Sequence, residues 1–254
     1  MQLQIEITTR CNFDCFYCAG RLMPQADMQW STFVSLIEQH IERYGKPDTV
    51  TLQGEGEPTL HPDFFRMAQW LSEQGIAIYS ITNGSYRQPE RFIGLFSRLG
   101  VSLDTLDEAQ AHKIGRHRLP RVLDFIHVIG PHLELSIHSV ANGEQTRRIA
   151  TWCQQRGYRH IVQPLQGKPD YARRYLPQPL PVSESSFCCP FLSSPLRRYY
   201  TVAGIEMPCS FIKDVSVYSD LQALLALNGG HIWPACCVGC WHGKDRTDPF
   251  VEHQ

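Results

Sequence analysis

Cys11, Cys15 and Cys18 fall within eight residues, in the stretch CNFDCFYC near the start of a 254-residue chain. A disulfide uses two thiols and a structural zinc site uses four ligands, so three thiols at this spacing suit a different partner. Three thiolates can hold a 4Fe-4S cluster by three of its irons and leave the fourth open to a substrate or cofactor, whereas four cysteines close the cluster. Zinc completed by a remote cysteine or histidine is the competing chemistry.

Of the ten cysteines, six more lie between 188 and 240 and Cys153 stands alone. A glycine turn at Gly204 would bring Cys209 back beside Cys189 across a short hairpin, and the Cys-x2-Cys pair Cys237 and Cys240 would complete a tetrahedral set of four. The doublets leave two choices open, Cys188 or Cys189 and Cys236 or Cys237, although the compact chelating spacing favours Cys237. Zinc fits the same spacings. A spare thiol, Cys188 or Cys236, is a candidate proton or hydrogen donor, while Cys153 on a helical stretch reads as core. Among His40, His61, His112 and His138, only His138 falls at a strand position suited to acid–base work.

These groups need a scaffold, and the pattern of the first 165 residues supplies one. Short β-rich runs alternate with helical periodicity, predicting an α/β fold with a parallel sheet. The expected strands are Leu3–Thr8, Thr49–Gln53, Ala77–Thr82, Val101–Asp104, Leu133–Val140 and His160–Leu165. Between them, Phe33, Leu36, Ile37, Ile41 and Tyr44 share one helical face, as do Phe64, Met67, Ala68 and Leu71. Further helices are expected over Pro89–Leu99, Leu119–Val128 and Glu144–Arg156. Six strands are too few for a closed eight-stranded barrel, and CNFDCFYC follows the first of them, at the end where parallel sheets place their chemistry.

From the end of the sixth strand onward, prolines at 164, 169, 177, 179 and 181 mark a linker, which divides the chain into 1–181 and 182–254. The second unit is expected to hold a hairpin, Arg198–Val202 with Ile205–Pro208, and a helix over Leu221–Leu227. So small a unit builds little core of its own and invites a metal centre.

The formal net charge is -1, from 24 basic and 25 acidic residues, which gives no electrostatic footing for nucleic acid or an acidic membrane. The first residues lack a signal-peptide pattern and no run of about 18 apolar residues occurs, so a soluble cytoplasmic protein is expected. In a reducing cytosol, cysteines are better explained by metal than by disulfides.

Cys-x3-Cys-x2-Cys after the first strand of a βα repeat resembles the radical S-adenosylmethionine enzymes. The resemblance implies a partial (β/α)6 TIM-like barrel, a 4Fe-4S cluster on Cys11, Cys15 and Cys18, and S-adenosylmethionine chelating the open iron. Tyr17 matches the aromatic position near the adenine. Gly54-Glu55-Gly56-Glu57-Pro58 resembles the family's Gly-Gly-Glu-Pro motif, with Gly56 and Glu57 toward the methionyl amino group and Glu55 where the first glycine is usual. Asn83, Ser102 and Asp104 resemble positions near the ribose and the methionine carboxylate. Asn142 with Glu144, and Pro164-Leu165, resemble cofactor-lining positions, though Asn142 and Glu144 also suit a helix cap.

The C-terminal cysteines resemble SPASM and twitch domains. With 14 residues after Cys240, the shorter twitch form is expected, with one auxiliary 4Fe-4S cluster on Cys189, Cys209, Cys237 and Cys240. The family's reaction is cleavage of S-adenosylmethionine to a 5'-deoxyadenosyl radical that abstracts hydrogen. The expected substrate is a peptide or protein side chain, matured by oxidation, crosslinking or epimerisation. An aminocyclitol or sugar dehydrogenase and a non-catalytic metal-binding protein are the alternatives. The reaction also implies a reductant such as flavodoxin or ferredoxin. Ten residues ahead of Cys11 leave no room for a peptide-binding winged helix, so leader recognition is expected to need a separate partner.

Overall fold

Side-chain alternation decides which face of the sheet meets the helices. In Gln2–Ile5 (β1), Leu3 and Ile5 are fully buried while Gln2 and Gln4 face the other way. Thr49–Leu52 (β2) and Ala77–Thr82 (β3) repeat this, burying Val50, Leu52 and Ile78. The computed structural model describes residues 2–18, 20, 23–164, 186–193, 197–212, 221–238 and 240. Leu165, most of the proline-rich stretch and the expected division at 181 lie outside those residues.

The helices are amphipathic where the periodicity placed them. Trp30–Tyr44 (α1) buries Phe33, Leu36, Ile37 and His40 and stops at Gly45, whose N–H reaches the Ile41 carbonyl. Phe64–Glu73 (α2) buries Phe64, Met67, Ala68 and Leu71. Leu119–Ile129 (α4) and Gly143–Arg156 (α5) bury Phe125 and Ile149, and Cys153 on α5 is core, as expected.

Two elements differ from expectation. Pro89–Leu99 is not a helix: a 3-10 turn covers Pro89–Phe92, Gly94 takes a left-handed φ of 81°, and Arg98–Ser102 is drawn into the sheet as β4. Conversely, Glu108–Ile114 forms a short helix (α3), capped by the Asp107 carboxylate on the Gln110 N–H and ended by left-handed Gly115.

Glu134–Val140 (β5) and Arg159–Gln163 (β6) complete the six expected strands. The sheet then continues. Arg197–Tyr200 (β7) lies parallel to β1, in register from Gln2 against Arg197 to Ile5 against Tyr200, and Glu206–Met207 (β8) pairs antiparallel with β7. The order is β6-β5-β4-β3-β2-β1-β7-β8, the α/β partial-barrel arrangement with neighbours in chain order through β6.

Two buried clusters result. One packs the helices on the sheet and includes Leu3, Ile5, Phe33, Phe64, Ile137 and Tyr200. The other gathers Phe187, Tyr199, Met207, Ile212 and Leu224 around Cys189, Cys209 and Cys237. Adjacent residues of β7 therefore serve different cores, Tyr199 one and Tyr200 the other. Among the described residues, no helix is long and apolar enough to cross a membrane.

Candidate functional site

The cysteine loop leaves β1 and is fixed from both sides. The Asp14 N–H donates to the Gly115 carbonyl at 3.1 Å and the Phe16 N–H to the Ile114 carbonyl at 3.0 Å, so the end of α3 forms one wall. Across the loop, the Asn12 amide donates to Ser85 Oγ at 2.8 Å and its carbonyl accepts from the Asn83 amide at 2.8 Å. The Cys18 N–H closes a turn on the Cys15 carbonyl at 3.0 Å.

The loop after β2 presses on the same segment. A Cβ on Gly56 would lie 2.5 Å from the carbonyl oxygens of Thr8 and Arg10, so only glycine allows this approach. The Glu57 N–H donates to the Arg10 carbonyl at 2.7 Å. Its buried carboxylate accepts from Thr59, from Thr82 Oγ1 at 2.6 Å and from the Asn83 N–H at 2.5 Å. Burial raises the Glu57 pKa and these donors oppose the rise. Within the protein, Glu57 and Asn83 thus brace the ends of β2 and β3 against the cysteine loop.

Burial pushes the Cys11 thiol up to about 11, with the Glu57 and Cys15 charges adding to it. It pushes Cys18 up to about 12, helped first by Glu55 and then by Cys15, and Cys15 is raised as well. Thiols in this environment stay protonated near neutral pH unless a cation takes the place of the protons. Soft sulfur donors on one short loop fit an iron-sulfur cluster. Among the described residues, no three His, Cys, Asp or Glu side chains converge on a point that a single ion would fill.

Tyr17, between the second and third cysteines, donates its hydroxyl to Asp104, at the exit of β4. Arg116 completes the group, pairing with Asp104, donating to the Tyr17 oxygen at 2.9 Å and reaching the Ser102 carbonyl at 3.5 Å. Burial alone would lower the Arg116 pKa, but Asp104, Tyr17 and Cys15 together raise it well above its ordinary value. Tyr17 is raised too, chiefly by burial. Sequence reading missed Arg116, which sits in no recognisable spacing; its one local signal is Gly115, which ends α3 just before it.

Below the loops, on the face of the sheet opposite the helices, Tyr79 Oη lies 2.9 Å from Ser136 Oγ and 3.0 Å from His138 Nε2. Tyr79 is on β3 and its partners are on β5, so it must reach across β4. It does so over Gly100, where a Cβ would meet Tyr79 Oη at 2.6 Å and His138 Nε2 at 3.0 Å. Burial, then Arg159 and His160, lowers the His138 pKa to about 4, so the imidazole is neutral at physiological pH. Tyr79 and Ser136 were also missed, because their meeting depends on strand register.

Asn142 and Glu144 are exposed at the end of β5, and Asn142 makes no side-chain capping bond; its N–H donates instead to Thr146 Oγ1 at 2.7 Å. Pro164 is exposed just beyond β6.

In the C-terminal unit, Cys189, Cys209, Cys237 and Cys240 are all buried, whereas Cys188 and Cys236 are part-exposed. Burial pushes Cys189 up to about 11, and the charges of Cys209 and Cys240 act on it in the same direction. Its N–H is held by Asn228 Oδ1 at 2.8 Å, on the helix Leu221–Gly229. The Cys240 N–H turns back to the Cys237 carbonyl at 2.9 Å, and Cys236 Sγ lies 3.8 Å from Cys237 Sγ.

The arrangement has parallels. An S-adenosylmethionine-dependent nucleotide dehydratase of Thermoplasmatales archaeon (strain ISO4-H5) is 30% identical over 142 residues, 52% of this chain and 50% of that protein. The chain thus spans half the length of that relative. Streptococcus suis SuiB bound to S-adenosylmethionine shares the fold with a TM-score of 0.66 at 15% identity, over 90% of this chain and 67% of that one. Native anSMEcpe with bound AdoMet and Cp18Cys peptide gives 0.59 at 14% identity, over 91% and 82%. The radical SAM superfamily pattern matches residues 5–145, from the end of β1 into α5, and on that match the chain belongs to the radical SAM superfamily.

Proposed function

We propose that Cys11, Cys15 and Cys18 hold an open 4Fe-4S cluster, with S-adenosylmethionine on its free iron, in an enzyme that abstracts hydrogen from a peptide or protein side chain. One observation carries the site assignment: three buried or half-buried thiols share a loop braced by the ends of β2, β3 and α3, as a rigid cluster requires. When bound, the cluster and S-adenosylmethionine supply a one-electron reductive cleavage. The chain's own groups orient and enclose. Gly56 lets the β2 loop approach, Tyr17 presents a ring beside the third cysteine, and Ser102, Asn83, Asn142 and Leu165 complete the proposed cofactor lining. Arg116, paired with Asp104, holds the Tyr17 hydroxyl in place.

Cys189, Cys209, Cys237 and Cys240 would hold the auxiliary 4Fe-4S cluster of a twitch-type unit. Their shared burial, against the part-exposed Cys188 and Cys236, supports that set. The fold likeness to peptide-bound anSMEcpe supports a peptide substrate, matured by oxidation, crosslinking or epimerisation. A small polar substrate is the second reading, favoured by the Tyr79, Ser136 and His138 group on the inner face and by the relative named for a nucleotide reaction. In either case the protein would work in the cytoplasm with flavodoxin or ferredoxin as reductant.

Deuterated candidate peptides and nucleotides, each incubated with reconstituted enzyme, separate these readings. Deuterium in the recovered 5'-deoxyadenosine from a peptide supports the first reading and from a nucleotide the second. Transfer from neither, under conditions where the cofactor is cleaved, refutes both.

A further inference from the structure

Glu55 stands where the family resemblance expects glycine, and three contacts show that the departure is built in. Its Oε2 accepts the Gly20 N–H at 2.9 Å and lies 3.9 Å from Cys18 Sγ. Its own N–H donates to Glu6 Oε1 at 3.0 Å, which ties the β2 loop to the exit of β1. A Cβ on Gly20 would meet Glu55 Cβ at 2.5 Å, and one on Gly54 would meet Glu6 Cγ at 2.3 Å. Glycines at 20 and 54 therefore make the room that Glu55 and its clamp occupy.

We propose that Glu55 is a positioning residue that holds the reduction potential of the open cluster lower than glycine at this position would. This rests on the assignment of that cluster to Cys11, Cys15 and Cys18. Two effects act in the same direction. Reduction adds an electron to the cluster, and a carboxylate within 4 Å of a coordinating sulfur opposes added negative charge. At that separation, well inside a Debye length of about 8 Å, salt screens little. The second effect is a shared donor. Peptide N–H groups pointing at cluster or cysteine sulfur stabilise the reduced state, and the Gly20 N–H, which also faces the Cys18 sulfur two residues before it, is shared with Glu55. A cluster tuned this way is harder to reduce and, once reduced, a stronger one-electron donor to the cofactor.

The test is an anaerobic redox titration of the reconstituted enzyme, followed by electron paramagnetic resonance, on wild type, Glu55→Gln and Glu55→Gly. The open cluster is identified as the species whose signal changes on adding S-adenosylmethionine. Glu55→Gln keeps the shape and an acceptor for the Gly20 N–H but removes the charge, and its midpoint should shift to a more positive value. Glu55→Gly also leaves the Gly20 N–H to the sulfur alone and should shift at least as far. If Glu55→Gly loses iron, the isosteric variant decides alone. A Glu55→Gln midpoint equal to wild type overturns the proposal while leaving the cluster assignment intact. A wild type with no signal responsive to S-adenosylmethionine overturns the assignment itself.

Discussion

Asp104 is the residue that compensates the buried charge of Arg116. With Arg116 and the Tyr17 hydroxyl it forms a nearly solvent-free group, and it also accepts the Val140 N–H at 2.6 Å. Removing one partner of such a pair leaves an uncompensated charge, at a cost of about 3–5 kcal/mol. Asp104→Asn should lose stability of that order in urea unfolding, and Tyr17→Phe, which removes one hydroxyl, no more than about 1–2 kcal/mol. His138 makes a pH-dependent contribution. Its pKa falls from 6.5 to about 4 on folding, so between those values the unfolded chain binds a proton that the folded chain excludes. Stability therefore declines as pH drops through this window, by about 3 kcal/mol in total from this residue, and returns as pH rises. Denaturant midpoints at pH 7 and pH 4.5 should converge in His138→Gln relative to wild type. These residues differ in how legible they were. Tyr17 and Asp104 could be named from motifs, but Arg116 and Tyr79 acquire their meaning only through contacts made across the fold.

At the scale of elements, the strands were readable because Leu3, Ile5, Val50, Leu52 and Ile137 alternate with polar residues and are all fully buried. α1 and α2 were readable for the corresponding reason at helical spacing. α3 was not: it buries only Ala111 and Ile114, too few to set a period. The stretch Pro89–Leu99 misled because its apolar residues serve an aromatic cluster through a turn, Phe92 packing on Phe64, Phe96 and Phe125. α3 turns out to be a working part of the site, since its terminal carbonyls hold the cysteine loop. Gly115 has a φ of 87°, and a Cβ there would lie 2.5 Å from the Asp14 carbonyl oxygen. Gly115→Ala combines left-handed strain with overpacking and should cost about 2–4 kcal/mol. It should also lower iron retained by the N-terminal loop after reconstitution, measured with the C-terminal cysteines intact.

For the whole molecule, the joint between the two cysteine sets is β7. Its pairing with β1 links residues almost two hundred positions apart in the chain, and Glu6 reinforces it, donating its N–H to the Tyr200 carbonyl at 2.9 Å. Local patterning anticipated the β7–β8 hairpin but had no means of specifying its neighbour. One sheet thus carries the N-terminal loop at one strand exit and the second cysteine group against Tyr199, which puts both cysteine groups on a continuous frame. On the two-cluster account, anaerobically reconstituted protein should hold about eight irons per chain, and about four irons with zinc would remove the auxiliary cluster. The central claim is the open cluster. The direct measurement is 5'-deoxyadenosine formed from S-adenosylmethionine under dithionite by wild type and by the Cys11, Cys15 and Cys18 triple alanine variant. Wild type should form it, and the variant should form none while keeping about half the iron. 5'-Deoxyadenosine formed by the triple variant at the wild-type rate would contradict the account.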